Sequence, residues 1–307
     1  MHLPVLFNEA LRELLIKPDG IYLDCTFGRG GHSKGILDQL GEKGQLLAFD
    51  RDLDAINSEF AQELLKDSRF QLEHCCFSQL QAQLEKRGWL GKVDGILMDF
   101  GVSSPQLDNA ERGFSFMSDG PLDMRMDCSS GLSAADWLAT VSEQDLVQVL
   151  FDYGEERFAR RVANAVVTQR VEQRLETTKQ FADLVVEAIP FKEKHKHPAT
   201  RSFQAVRIAV NSELEEIKTV LELAVNALNS GGRMVAISFH SLEDRIVKRF
   251  IRDESRGKYN PTKLPMQAAE LAAIRLNKCG KTIKASAEEL QTNPRARSAV
   301  MRVAERK

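Results

Sequence analysis

Three times in its first hundred residues the chain passes from a short apolar run through a turn into an amphipathic stretch before a fourth apolar run follows, and this alternation constrains the fold more than any other feature. Ile21–Cys25 is followed by Thr26-Phe27-Gly28-Arg29-Gly30-Gly31-His32-Ser33 and then by Ile36, Leu37 and Leu40 at helical spacing, which reads as strand, glycine turn, helix. Gln45–Phe49 reads as a second buried strand ending at Asp50, with Ala55, Ile56, Phe60, Leu64 and Leu65 marking the next helix. Phe70–Leu72 and an amphipathic stretch through Leu80, Leu84 and Leu90 repeat the unit. Val93–Phe100 is nearly all apolar, which suits a central parallel strand covered on both faces. Units of this kind predict an α/β fold with a doubly wound, Rossmann-like sheet.

After Pro105 the alternation stops. Residues 106–126, rich in Gly, Pro, Ser and Asp, read as a long ordered loop, and about eighty helical residues without a strand candidate follow. Ser133, Ser142 and Thr177 or Thr178 stand where helix caps belong, with a longer helix from Glu155 to Gln173. Sheet-type sequence returns at Arg233–Phe239, after a helix Ser212–Leu228 and a Gly231-Gly232 turn, and Ala299–Ala304 reads as the last strand. The expected organisation is a sheet domain in two pieces, 1–108 and 208–307, interrupted by a helical domain, 109–207.

The chain has 307 residues, 43% of them hydrophobic, so it can bury a large core, and fibrous or disordered classes are excluded. Its longest stretch without Asp, Glu, Lys or Arg runs only from His74 to Leu84, far short of the ~18 residues of a membrane span. Glu9, Arg12 and Glu13 interrupt the apolar start before a signal-peptide core forms. A cytoplasmic protein with no membrane partner is the expectation. The five cysteines, Cys25, Cys75, Cys76, Cys128 and Cys279, lack the paired spacings of a zinc site and read as reduced, buried thiols. His195-Lys196-His197 lies among lysines that repel a cation and favour phosphate, so no metal is expected. The near-neutral total hides an asymmetry: residues 245–307 hold 16 Lys and Arg against 6 Asp and Glu, a candidate surface for a polyanion.

The candidate site begins with Asp24-x-x-x-Gly28-x-Gly30-Gly31-His32-Ser33, where strand one turns into a helix. Glycines there admit close backbone approach by a ligand, and a helix start offers unpaired N–H groups. A nicotinamide fingerprint starting at Gly28 needs glycine where Ser33 stands, whereas an acid-first D-x-x-x-G-x-G pattern is what S-adenosylmethionine enzymes use. A turn that only packs helix on strand remains the alternative. Asp50, closing strand two about twenty residues on, is placed to accept both hydroxyls of an adenosine ribose. Phe77, after strand three, lies where an adenine edge is expected, or serves as core. Asp99, at the end of strand four, faces the ligand crevice and is able to hold an amine N–H and take its proton, or else caps a turn. His240, after strand five, reads as a general base or nucleotide contact, or as a locally bonded residue beside the helix cap Ser241.

Eight motifs in order carry a resemblance over essentially the whole chain: His2-Leu-Pro-Val-Leu6, Gly28-Arg-Gly-Gly-His-Ser33, Asp99-Phe-Gly-Val-Ser-Ser-Pro-Gln-Leu-Asp108, Gly120-Pro-Leu-Asp-Met-Arg-Met-Asp127, His197-Pro-Ala-Thr-Arg201, Gln204-Ala-Val-Arg-Ile208, Ile237-Ser-Phe-His-Ser-Leu-Glu-Asp-Arg-Ile246 and Asn293-Pro-Arg-Ala-Arg-Ser298. With them the chain resembles the MraW/RsmH family of bacterial small-subunit ribosomal RNA methyltransferases. The resemblance implies a class I S-adenosylmethionine-dependent methyltransferase sheet with an inserted helical domain. It further implies methylation of the N4 amine of a cytosine in the decoding region of 16S rRNA, within the small ribosomal subunit. By motif position it places cofactor contacts on Gly30, Gly31, His32, Asp50, Phe77, Asp99 and Gln106. Asp99 with Ser103, Ser104 and Pro105 stands where amino-methyltransferases carry an Asp/Asn/Ser-Pro-Pro-aromatic signature.

A ring-carbon methyltransferase needs a cysteine nucleophile beside the base, and neither Asp99–Gln106 nor Phe239–Arg245 contains one, so direct in-line attack by nitrogen is the expected mechanism. The target base must leave its stack, and the inserted domain with the basic C-terminal segment is the expected RNA cradle. Arg112, Arg125, Arg201, Arg207, His240 and Arg245 are the expected RNA contacts. Two rivals stay open at this point: a nicotinamide dehydrogenase, and a small-subunit assembly factor that binds RNA without methyl transfer. Pairing with a second copy of the chain, as a homodimer, is also left open.

Overall fold

The computed structural model describes residues 4–191, 197–256 and 274–307; His2 and Leu3 of the first motif, and His195 and Lys196, lie outside them. The apolar runs become β1 (Ile21–Asp24), β2 (Gln45–Asp50), β3 (Phe70–His74), β4 (Val93–Asp99), β5 (Leu228–Ser238), β6 (Leu276–Lys284) and β7 (Val300–Arg306). They form one sheet in the order β3-β2-β1-β4-β5-β7-β6. The first five strands pair in parallel, while β7 runs antiparallel to both β5 and β6. This is the doubly wound, Rossmann-like sheet that the alternation of units predicts and the class I S-adenosylmethionine-dependent methyltransferase sheet that the resemblance implies. Strand order reverses between β1 and β4, and in open α/β sheets ligands bind beyond the strand ends at such a point.

The central strands are apolar because both of their faces are covered: Leu23, Leu46, Leu47, Ile96 and Leu97 have no solvent exposure. On one face Leu6, Leu14 and Ile36, from the flanking helical segments, form a core with Leu46 and Leu97. Each such side chain contributes roughly 1.5–3 kcal/mol through burial. Two sequence expectations change here. β6 was not expected, because only Leu276 in it is buried and an edge strand needs little apolar pattern. Gly231 and Gly232 do not precede a strand but lie within β5, where the five-residue advance from Leu228 to Arg233 faces only Val93 to Gly95 of β4, with Gly231 at φ 79. The glycines accommodate that bulge.

The chain divides into two compact units, Met1–Gly101 with Leu214–Lys307 and Val102–Glu213. The divisions fall at 101/102 and 213/214, against the expected 108/109 and 207/208. The second unit is helical, with helices Ala134–Thr140, Glu143–Gly154, Ala159–Glu172, Thr178–Ala188 and Ala199–Asn211. Ser133, Ser142 and Thr177 accept the N–H groups of Asp136, Asp145 and Gln180, each satisfying a helix-end donor as expected of caps. The long middle helix starts at Ala159 rather than Glu155, because Glu155 adopts the left-handed conformation, φ 49, that ends the preceding helix. Its core gathers Leu138, Leu146, Leu150, Val162, Val166, Phe181 and Val206. The expected long loop is held by Asn211, whose Oδ1 accepts the Met126 N–H at 2.8 Å while its Nδ2 donates to the Met124 carbonyl at 2.7 Å. Among the described residues, no helix is long and apolar enough to cross a membrane.

Candidate cofactor and catalytic site

Two carboxylates organise the turn after β1. Asp24, fully buried, accepts from Ser33 Oγ at 2.7 Å and from the Thr26 N–H at 3.1 Å. Thr26 Oγ1 in turn accepts the Asp99 N–H at 2.7 Å, tying the ends of β1 and β4 together. Asp50 accepts the Gly28 N–H through Oδ2 at 2.7 Å and the Asp52 N–H through Oδ1 at 2.8 Å. Burial raises both acids, Asp50 to about 6, against the lowering effect of these hydrogen bonds.

Asp99 closes β4 and is the most perturbed of the group. Its side chain is 23% exposed, yet Oδ1 is sealed from solvent and no donor among the described residues reaches it. Burial lifts its pKa well above the ordinary carboxylate range, and the carboxylates of Asp24 and Glu243 push it further. Glu243 has no exposure and sits in the first turn of helix Ser241–Arg256. It accepts the N–H groups of Phe239 at 2.7 Å and His240 at 3.3 Å through Oε2, and its Oε1 lies 3.1 Å from His240 Nε2. His32 stacks on Phe7, with Nε2 3.7 Å from Asp99 Oδ2. Burial lowers its pKa to about 4 despite the Val5 backbone nearby, so the ring is neutral at neutral pH.

Gly28, His32, Asp50, Phe77 and Asp99 thus belong to the sheet unit, at or just beyond the ends of β1–β4. Phe77 is half-buried and meets Phe100 edge to face, with centroids 6.2 Å apart. The glycines differ in what they do. A Cβ at Gly30, where φ is 72, would lie 2.7 Å from the Phe27 ring, and one at Gly31 would lie 2.4 Å from Pro4 Cγ. Their smallness therefore serves packing, which by itself explains glycine at these two positions. At Gly28, φ 53, a Cβ would meet nothing nearer than the Thr26 carbonyl at 3.9 Å. Ser33 also acquires its reason: the position where a nicotinamide fingerprint needs glycine supplies the hydroxyl that Asp24 requires.

Ser103, Ser104, Pro105 and Gln106 fall at the start of the helical unit. Ser103 precedes helix Ser104–Asp108 and donates its N–H to Gln106 Oε1 at 2.8 Å, so the buried Gln106 closes its own helix turn. Two arginines expected to meet RNA are corrected. Arg112 is 8% exposed and donates to the carbonyls of Arg125 at 3.1 Å and Met126 at 3.0 Å. Arg207 makes a two-pronged pair with buried Glu213, both contacts at 2.8 Å. Both guanidiniums are spent on internal structure. Arg125 is clamped by Asp123 but reaches solvent, Arg201 donates to the Glu155 carbonyl at 3.4 Å, and Arg245 is exposed. Part of the C-terminal positive surplus is also paired, Arg302 with Asp244 and Arg275 with Glu222 and Glu254.

All five cysteines are free, but only Cys25 and Cys75 are buried; Cys128 is exposed, contrary to expectation. Cys25 directly follows β1, and burial beside Asp24 pushes its thiol well up, which keeps it a poor nucleophile. Asp24 opens the glycine motif in sequence without a role of its own assigned there, and Glu243, inside the Ile237–Ile246 motif, is the site member that sequence reasoning missed.

The model of the MraW methylase family matches residues 1–307. A protein named ribosomal RNA small subunit methyltransferase H from Pseudoalteromonas atlantica is 56% identical over 306 residues, covering 99% of this chain and 98% of that one. One of the same name from Thioalkalivibrio sulfidiphilus is 56% identical over 305 residues, covering 99% and 97%. With the family's pattern matched from end to end on a sheet of the required topology, the chain belongs to the MraW methylase family.

Proposed function

We propose that the protein transfers a methyl group from S-adenosylmethionine to the exocyclic N4 amine of a cytosine in the decoding region of 16S rRNA. S-Adenosylmethionine supplies an electrophilic sulfonium methyl and leaves as a neutral thioether. The observation that carries the reading is Asp99: a carboxylate at the topological switch point, with one sealed oxygen that meets no donor and a pKa raised by burial and by its acidic neighbours. A buried acceptor that no protein group satisfies is open to a donor from a bound ligand, and an amine N–H is such a donor.

The residues present fit the cofactor. Asp50 accepts the ribose hydroxyls through lone pairs beyond those used by Gly28 and Asp52, Phe77 borders the adenine, and the open side of Gly28 lets the nucleoside approach the main chain. Asp99 holds the cytosine amine by one N–H, turning the nitrogen lone pair toward the methyl, and receives the proton as the N–C bond forms. A raised pKa suits that task, since the acceptor works best near the operating pH. Buried Asp24 and Glu243 keep Asp99 in this state, and Thr26 fixes its backbone. Neutral His32 closes one side without adding charge. Attack on a ring carbon has no thiolate to begin it, because Cys25 stays protonated.

Substrate recognition is assigned to the helical unit and the basic C-terminal segment, with Arg125, Arg201 and Arg245 toward phosphate and His240 toward the nucleotide. The site is in the cytoplasm, on the small ribosomal subunit. The test is incubation of the protein and of Asp99→Ala with methyl-labelled S-adenosylmethionine and small subunits from a strain lacking this gene. Label in N4-methylcytidine that vanishes in the variant is expected. Label in another nucleoside overturns the substrate, and binding of cofactor and subunit without label overturns the reaction.

A further inference from the structure

The helical unit contains a second feature suited to RNA, lined by none of the residues assigned above to the chemistry. A cavity of about 200 Å³ is walled by Phe158, Phe191 and His197, with Glu156, Arg157 and Arg201 around them. Its volume lies below the about 300–1,000 Å³ of sites for drug-sized ligands, and suits one planar ring system rather than a whole nucleotide.

Three observations indicate what that ring belongs to. Phe191 is 67% exposed, a large apolar face left in water at the cavity wall. His197 is held flat by stacking on Phe116 at 4.5 Å and by accepting the Ala199 N–H at Nδ1, so its ring is pre-set rather than mobile. The charges around these rings are mainly positive: Arg157 is exposed, and Arg201 is steadied by the Glu155 carbonyl at 3.4 Å. Among the described residues that line it the one acid, Glu156, is 3% exposed and already accepts the Phe158 N–H at 2.8 Å. The helix Ala159–Glu172 starts at this wall with exposed Arg160 and Arg161 and no acid in its first turn. Cations are disfavoured at that end of a helix unless an anion joins them. Flat apolar faces rimmed by arginine match single-stranded nucleic acid, where bases stack on aromatic rings and phosphates meet cations.

We infer that this cavity takes one unstacked base of a single-stranded stretch of the substrate RNA, a base other than the one methylated. The inference rests on the rRNA reading above and adds where, and by what chemistry, a second nucleotide is held. Phe191 and His197 supply the stacking faces, and Arg157 and Arg201 supply the charge for the adjoining phosphates.

The test uses the full chain and a short single-stranded RNA carrying 2-aminopurine, with wild type, Phe191→Ala, Phe191→Trp and Arg157→Ala. Both side chains are exposed, so the variants are expected to fold, and protection by S-adenosylmethionine against thermal unfolding checks this independently. Phe191→Ala is expected to weaken binding about tenfold, the weight of one base–aromatic stack, without changing the salt slope. Phe191→Trp retains affinity and quenches the probe, while Arg157→Ala lowers the salt slope by about one. Wild-type protein that labels small subunits, alongside a Phe191→Ala variant that binds the RNA as tightly as wild type, overturns this inference alone. Wild-type protein that neither binds RNA nor labels subunits overturns the rRNA reading and the inference with it.

Discussion

Gly28 donates its backbone N–H to Asp50 Oδ2 at 2.7 Å, so the glycine turn after β1 and the acid ending β2 are one unit rather than two separate ligand contacts. Asp50 has a folded-state pKa of about 6, above the roughly 3.9 of an unfolded aspartate. The ionised form therefore costs stability in the ligand-free protein: that cost is absent below about pH 4 and complete above about pH 6. Cofactor affinity moves the other way, because the ribose hydroxyls need the ionised acceptor. Titration calorimetry from pH 5 to 8 should show S-adenosylmethionine binding weakening up to about tenfold per unit below pH 6. Asp50→Asn should bind weakly and with a shallower pH dependence; an identical pH dependence in both proteins would remove Asp50 from the ribose site.

Asp99 carries the clearest conflict between stability and activity. Its charge is disfavoured by burial and by Asp24 and Glu243, so Asp99→Asn should raise unfolding stability, seen as a higher midpoint in urea titration. The same change should lower kcat by about 100-fold or more, since the amide cannot take the proton. A variant that is less stable yet retains wild-type turnover would contradict both halves of the argument.

Gly31 offers a test of packing. A methyl group there would lie 2.4 Å from Pro4 Cγ, at the first residue of helix Gly31–Leu37. Gly31→Ala should destabilise the protein by roughly 1–3 kcal/mol through overpacking, seen as a lowered thermal midpoint. Gly28→Ala should leave contacts undisturbed, its cost arising from backbone strain at φ 53. Equal loss of packing at both sites would refute the distinction drawn between the two glycines.

Arg207 and Arg201 lie six residues apart on one helix and should respond differently to removal. Arg207→Ala leaves buried Glu213 without its pair and should cost about 3–5 kcal/mol of stability while the salt slope of RNA binding stays as in wild type. Arg201→Ala should leave stability within about 0.5 kcal/mol and reduce that slope by about one. Binding measured across a range of salt concentrations separates them, and a reversed pattern would return Arg207 to the RNA surface.

Much of this architecture was legible because it is written in short-range chemistry. The strand–turn–helix alternation, the caps at Ser133, Ser142 and Thr177, and the acid-first glycine motif depend on residues a few positions apart, and each appears in the fold. Of the candidate site, the positions were legible: Asp50, Phe77 and Asp99 stand at or just past the ends of β2, β3 and β4, as their places in the sequence predict. The purpose of Ser33 emerged only when its hydroxyl met Asp24.

Sequence by itself determined that this chain builds a doubly wound sheet interrupted by helices, with acids at the ends of β1, β2 and β4, since burial periodicity and turn chemistry are local. Tertiary structure alone decided which charges matter. Whether Asp99 is a raised acid depends on its desolvation and on Glu243, far along the chain; whether Arg112 and Arg207 meet RNA depends on carbonyls and a carboxylate that fold against them. The edge strand β6, mostly exposed, has identity only through its pairing with β7. Desolvation and Coulomb energies follow distance through space, and that distance does not exist until the chain has folded.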